Sequence, residues 1–156
     1  MAVIDEKGHL VNGDQILALL AIEMSKDKKL KNNNVVGTSM ANMGLETLLK
    51  KHNIGLIRAK VGDRYVKEKM ISEDLNLGGE QSGHIILRDF TSSGDGIVVA
   101  LQVLSILSRK KGKASDCLHL FSPLPQNLIN FPVKERNILD HADTESFIKA
   151  LSLIHI

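Results

Sequence analysis

An α/β layered sandwich is the fold class that the sequence predicts, and three observations predict it. Short apolar runs, Val35-Val36, 56–59 and Ile85-Ile86-Leu87, alternate with longer amphipathic stretches. Turn-forming clusters such as Lys31-Asn32-Asn33-Asn34 and Gly78-Gly79 punctuate that alternation. Hydrophobic residues make up 43% of the 156 positions, which supplies a real core and argues against global disorder.

The elements follow in order. Residues 2–5 read as a short strand, Glu6-Lys7-Gly8 as a turn, and 9–11 as a returning hairpin partner. Asn12 or Asp14 can cap a helix reaching about Lys26, with Ile16, Leu17, Leu19, Leu20 and Met24 on its apolar face. Lys26, Lys28 and Lys29 then stand where the helix dipole favours cations. Val35-Val36 opens a buried strand. Ser39 or Asn42 starts a second helix, with Met43, Leu45, Leu48 and Leu49 facing inward, and it ends near Asn53. Residues 56–59 form the next strand, and 65–71 are amphipathic and helical. Leu77 leads into a polar glycine loop, and 84–87 leave it as a strand. Thr91-Ser92-Ser93-Gly94-Asp95 offers caps for a helix from Gly96 to about Arg109, whose Ile97, Val98, Leu101, Leu104 and Leu107 are expected in the core. Ser115 can cap a short helix to about Leu120.

Pro123 and Pro125 stop regular structure, which places a domain boundary at Ser122-Pro123-Leu124-Pro125. Residues 1–122 are then one domain. A strand is expected at 127–133 and a helix over 134–150. Residues 150–156 read as a non-native tail.

Composition excludes several functions. Basic and acidic residues number 20 and 18, a net charge of +2, so neither a nucleic-acid partner nor strong attraction to a membrane surface is expected. Aromatic residues are 3% and Trp is absent, which removes base-stacking platforms. Cys117 is the single cysteine, so an intrachain disulfide is excluded, and it reads as a small buried hydrophobe on a helix. Asp5 and Glu6 interrupt any apolar leader, and no run nears the about 20 apolar residues of a membrane helix. A cytosolic (cytoplasmic) protein is expected.

The most informative segment is Gly78-Gly79-Glu80-Gln81-Ser82-Gly83-His84. It displays a carboxylate, a hydroxyl and an imidazole on a tight turn. A carboxylate accepts paired hydrogen bonds from vicinal hydroxyls, and a serine hydroxyl donates or accepts. That chemistry suits a sugar, although spacing alone favours a polar surface turn.

The segment resembles the sugar-recognition loop of the α-D-phosphohexomutase family, in the Gly-Glu-Gln-Ser-Gly-His form of its phosphoglucosamine mutases. The resemblance extends in order through Asp5-Glu6-Lys7-Gly8, Asn12-Gly13-Asp14-Gln15-Ile16-Leu17-Ala18, Met40-Ala41-Asn42-Met43-Gly44-Leu45-Glu46 and Lys60-Val61-Gly62-Asp63-Arg64-Tyr65-Val66. Gly94-Asp95-Gly96 and Pro125-Gln126 complete it, over roughly residues 2–133. The resemblance implies the third of four domains, a three-layer α/β/α sandwich with a mostly parallel mixed sheet. Residues 123–149 would be the truncated, incomplete start of the fourth, phosphate-binding domain. The family's Asp-Gly-Asp-x-Asp-Arg metal loop, its phosphorylated serine and its Arg-Pro-Ser-Gly-Thr-type loop do not occur here, so a fragment that is inactive alone is expected.

For the complete enzyme, the resemblance implies interconversion of glucosamine 6-phosphate and glucosamine 1-phosphate in bacterial amino-sugar and peptidoglycan precursor synthesis. A phosphoserine and a bisphosphate intermediate would carry the phosphoryl group, with Mg²⁺ neutralising charge. This chain would itself bind no Mg²⁺, the metal loop lying upstream of Met1. Its partners would be a phosphorylated amino sugar and the missing domains, with neither nucleic acid nor membrane. Glu80 and Ser82 would contact sugar hydroxyls, with Gly79 and Gln81 beside them, Gln81 also marking the amino-sugar branch. His84 would relay a proton or position the substrate or loop. Lys60 or Arg64 would bind substrate oxygens or phosphate, unless Asp63 and Arg64 pair to brace their own loop. Asp95 reads as a helix cap. His9, His52, His119, His141 and His155 show no ligand-like spacing and read as surface or structural. A phosphomannomutase or phosphoglucomutase fragment, and a non-catalytic sugar-phosphate-binding module, are the alternatives.

Overall fold

Val35 and Val36 are both fully buried, yet successive side chains of a strand point to opposite faces, so this strand must lie between two apolar layers. The computed structural model, which describes residues 1–127 together with helical Thr144, Ser146 and Ile148, has that arrangement. A hairpin of β1 (Val3–Ile4) and β2 (Leu10–Val11) comes first. It is followed by α1 (Gly13–Lys26), β3 (Asn34–Thr38), α2 (Met43–Lys51), β4 (Gly55–Ala59) and α3 (Asp63–Ser72). Then come β5 (Leu77–Gly79), β6 (Ile85–Leu87), α4 (Gly96–Lys110) and α5 (Ala114–Leu118).

The main sheet has the order β4-β3-β5-β6. The β3–β4 and β3–β5 pairs are parallel, and β6 returns antiparallel to β5. Val35, Leu77, Ile85 and Leu87 face one core with Leu17, Leu20, Leu45, Val99 and Val103 from α1, α2 and α4. Val36 and Ile86 face the other, with Val66 and Met70 of α3 and with Leu75. Helices on both faces of a mixed, mostly parallel sheet make the three-layer α/β/α sandwich that was expected. Among the described residues, no helix is long and apolar enough to cross a membrane.

Several local expectations resolve to one choice. Asn12, not Asp14, caps α1, its side chain accepting from the Gln15 N–H. Asn42, not Ser39, caps α2 through the Gly44 N–H. Asp14 is buried instead, and its Oδ2 accepts the Asn42 N–H at 2.8 Å. Burial raises the Asp14 pKa, against the opposing pull of the Asn42 N–H and the Arg58 charge. Met43, expected to face inward, is instead more than half exposed in the first turn of α2.

The larger correction concerns α4. Ile97, Leu101 and Leu104 are 74%, 59% and 59% exposed, whereas Val99, Val103 and Ile106 are buried. Val98 and Leu107 pack partly against the core, as predicted. The helix is apolar on nearly every side, so its period does not choose a face. Ser115 caps nothing. The N-cap of α5 is Lys113, and Ser115 hydrogen-bonds the Glu6 carboxylate. Cys117 is partly buried on α5.

Two amides hold the segment that follows α5. Gln15 donates from Nε2 to the Phe121 carbonyl and accepts the Leu120 N–H at Oε1, both at 2.8 Å. Asn42 donates to the Leu124 carbonyl at 2.8 Å and accepts the Leu124 N–H at 2.9 Å. Met1–Pro125 form one compact unit and Gln126–Ile156 a second. The strand expected at 127–133, the helix after it and the tail at 150–156 lie outside the described residues, save for Asn127 and the three helical positions named above.

Candidate functional site

Parallel strands aim their carboxyl ends at one edge of a sheet, and open α/β sheets bind ligands there. At that edge β4 runs into Lys60-Val61-Gly62 and β5 into Glu80-Gln81-Ser82-Gly83. The second loop is a tight hairpin turn. Gly83 N–H donates to the Glu80 carbonyl, and Glu80 N–H to the His84 carbonyl, both at 2.9 Å. Gly83 takes φ +92°, the left-handed conformation that glycine adopts without steric cost.

Contacts from outside hold the turn, among them the Met1 ammonium donating to the Gly83 carbonyl at 3.0 Å. Gly13, at the start of α1, donates its N–H to the Gln81 carbonyl at 2.9 Å. The Glu80 carboxylate accepts the Gly62 N–H at 2.9 Å through Oε1, tying the turn to the β4–α3 loop. Glu80 and Gln81 are partly exposed, and Ser82 and His84 are exposed. His84 Nε2 stands 3.9 Å from Asp63 Oδ2, an imidazole beside a carboxylate. Ser82, His84, Asp95 and Val99 border a cavity of about 180 Å³. That is below the roughly 300–1,000 Å³ of a pocket that encloses a small molecule. Asp95 is a helix cap, as expected, accepting the N–H groups of Ile97 and Val98.

Glu80, Gln81, Ser82 and His84 thus share one turn, with Gly79 closing the strand before it. Lys60 follows β4 and is exposed, its Nζ 6.0 Å from the Tyr65 ring centroid. Arg64 is directed elsewhere. Its Nε pairs with Glu68 Oε1 at 2.8 Å along α3, which also raises its pKa. Asp63 does not pair with the Arg64 guanidinium; it accepts the Arg64 backbone N–H and approaches His84. The sequence reading missed the Gly62–Glu80 tether and the His84–Asp63 pair, since both join separate loops and carry no spacing signal.

A scan against family models matches residues 12–124 to the phosphoglucomutase/phosphomannomutase family, alpha/beta/alpha domain III. The chain belongs to that family. Phosphoglucosamine mutase of Nitrobacter winogradskyi is 47% identical over 148 residues, covering 95% of this chain and 33% of the relative. That of Hyphomonas neptunium is 50% identical over 140 residues, covering 90% and 31%. The chain therefore spans about a third of the length of these curated relatives. Among solved structures, Aspergillus fumigatus N-acetylphosphoglucosamine mutase superposes with a TM-score of 0.71 at 22% identity, over 88% of this chain and 33% of that one. A phosphoglucomutase/phosphomannomutase family protein of Burkholderia thailandensis gives 0.68 at 22% identity, over 84% and 27%. These likenesses at low identity concern the fold.

Whether this phosphohexomutase domain could itself hold Mg²⁺ turns on its oxygen donors, since that ion takes an octahedral oxygen shell. Near the turn, Glu80 Oε1 is engaged by Gly62, Asp63 Oδ1 by the Arg64 N–H and Asp95 Oδ1 by the α4 cap. Among the described residues no three carboxylates converge there. The described residues around the turn therefore form no ready-made carboxylate cage for the ion.

Proposed function

We propose that this chain is the sugar-recognition domain of a phosphoglucosamine mutase. The enzyme as a whole would interconvert glucosamine 6-phosphate and glucosamine 1-phosphate through a phosphoserine and a bisphosphate intermediate. The observation that carries the reading is the Glu80-Gln81-Ser82-Gly83-His84 turn, anchored by Gly13 and Gly62 at the carboxyl edge of the sheet. The high identity to phosphoglucosamine mutases supports the amino-sugar branch over phosphomannomutase or phosphoglucomutase. One solved relative, the Aspergillus fumigatus enzyme, is described in complex with GlcNAc-6P and magnesium, which supports a phosphorylated amino sugar as the ligand class.

The residues divide the work by chemistry. Glu80 accepts hydrogen bonds from sugar hydroxyls while its tether to Gly62 holds the carboxylate still. Ser82 donates or accepts at the next hydroxyl, and the turn keeps Gln81 between them. His84 takes or returns the proton of the hydroxyl that gains or loses a phosphoryl group, with the Asp63 carboxylate 3.9 Å from its Nε2. Lys60 attracts phosphate as an exposed point charge. Arg64 steadies α3 through Glu68 and reaches phosphate only by giving up that pair. The site is open and small on this domain alone, so substrate binds weakly and turnover requires the nucleophile and metal loop of the complete enzyme.

Isotope-edited NMR of the chain tests this. Glucosamine 6-phosphate at tens of millimolar should shift Glu80, Ser82 and His84 more than mannose 6-phosphate does, and Glu80→Ala should abolish the shifts. Shifts confined to distant lysines would refute the sugar site. Mutase turnover by the purified chain would refute its dependence on the remaining domains.

A further inference from the structure

Outside the sugar turn, three side chains from opposite ends of the described chain meet at one point. Asp5 follows β1, His9 precedes β2, and His119 follows α5. Asp5 Oδ2 lies 3.3 Å from His9 Nδ1 and 3.0 Å from His119 Nε2. The three ligand atoms all fall within 4.8 Å of one another. The two rings stand nearly perpendicular, at 80°, with centroids 6.3 Å apart, so their nitrogens point toward the carboxylate without the rings stacking.

The carboxylate is built in rather than incidental. Its side chain is 0% exposed, whereas His9 and His119 are 66% and 34% exposed. Oδ1 accepts the backbone N–H groups of Lys7 and His9, each at 2.9 Å. Those bonds fix the group and leave Oδ2 facing the two imidazoles, with solvent on their far side.

We propose that Asp5, His9 and His119 form a binding site for a divalent transition-metal cation of the Zn²⁺ class. Two imidazole nitrogens and one carboxylate oxygen are ligands that Zn²⁺ takes at about 2.0–2.2 Å. Tetrahedral geometry at those lengths separates ligand atoms by about 3.3 Å, close to the separations of Asp5 Oδ2 from both nitrogens. A modest rotation of the exposed His9 ring completes the set, and water takes the fourth position. His9 coordinates through Nδ1 and His119 through Nε2, each ring carrying its proton on the other nitrogen. Nothing is oxidised or reduced. Nitrogen ligands select against Mg²⁺, so this site is separate from the family's magnesium chemistry. A bound ion would staple the β1–β2 hairpin to the segment leaving α5.

Calorimetric titration of the EDTA-treated chain with Zn²⁺ alone, near neutral pH, tests the site. One equivalent should bind at micromolar affinity or tighter and raise the melting temperature. His9→Gln and His119→Gln are surface changes and should each weaken binding at least tenfold. Asp5→Asn keeps the acceptor for Lys7 and His9 and should weaken it similarly. Co²⁺ should give the visible bands of a tetrahedral nitrogen and oxygen site. The proposal is overturned by absence of Zn²⁺ binding, by equal binding of Mg²⁺, or by affinity that falls with His84→Gln or His52→Gln instead of His119→Gln.

Discussion

Gly13 shows how much a single residue carries. A Cβ placed there would strike the Glu80 carbonyl, the Gln81 carbonyl and the Gly83 nitrogen, all backbone atoms that cannot swing aside. Gly13→Ala should therefore either push the recognition turn off α1 or cost about 2 kcal/mol or more in urea unfolding. NMR shifts at Gln81 and Gly83 distinguish the two routes, and an unshifted turn with unchanged stability would contradict the seam. The sequence displayed Glu80, Ser82 and His84 together because they are neighbours in the chain. It could not display Gly62 donating to Glu80 or Asp63 approaching His84, because those contacts are made by loops that only the sheet brings together. For the same reason His9 and His119 read as unrelated surface residues, although folding sets both against Asp5.

At the scale of elements, Arg58 on β4 joins its strand to the start of α2. Its guanidinium donates to the carbonyls of Thr38 and Ala41 and pairs with Glu46 at 3.0 Å. Lys50 meets the other oxygen of Glu46 at 3.0 Å. Hydrogen bonds from Lys50 and then Arg58 lower the Glu46 pKa below its ordinary 4.5. A lowered carboxyl pKa stabilises the fold above about pH 4.5, and that contribution disappears as pH falls through the folded value. Glu46→Gln should cost about 1 kcal/mol near neutral pH, a modest figure because Lys50 is largely exposed. The difference from the parent chain should vanish in acid. Parallel urea titrations across pH check this, and a pH-independent difference would assign the effect to packing. Strands and helices were legible at this scale because capping residues and turns mark their ends. The facing of α4 was not, since a helix with Val99, Val103 and Ile106 on one side and Ile97, Leu101 and Leu104 on another offers two apolar stripes.

At the scale of the whole molecule, that second stripe is an exposed apolar surface among the described residues. Ile97, Leu101 and Leu104 recur at helical spacing on the exposed face of α4, a contiguous row of the kind that marks contact with other protein. Leu104→Lys should leave the melting temperature within a few degrees of the parent and raise the solubility limit of the chain. Thermal melts and sedimentation read both, and a large loss of stability would show that Leu104 is part of the core after all. The mostly parallel character of the sheet was anticipated from family resemblance; its order β4-β3-β5-β6 was not, because short apolar strands carry no mark of which neighbour they pair with.

The paired amides of Gln15 and Asn42 have a mechanical consequence. Each grips both a carbonyl and an N–H along residues 120–124, so this stretch is clamped by side chains rather than zipped into a sheet. A pull applied at Leu124 is therefore borne by α1 and α2, through Gln15 and Asn42, before it reaches α5. Gln15→Ala would release residues 120–121 alone, whereas Asn42→Ala would release Leu124 and uncap α2 together, so the two amides carry that load unequally.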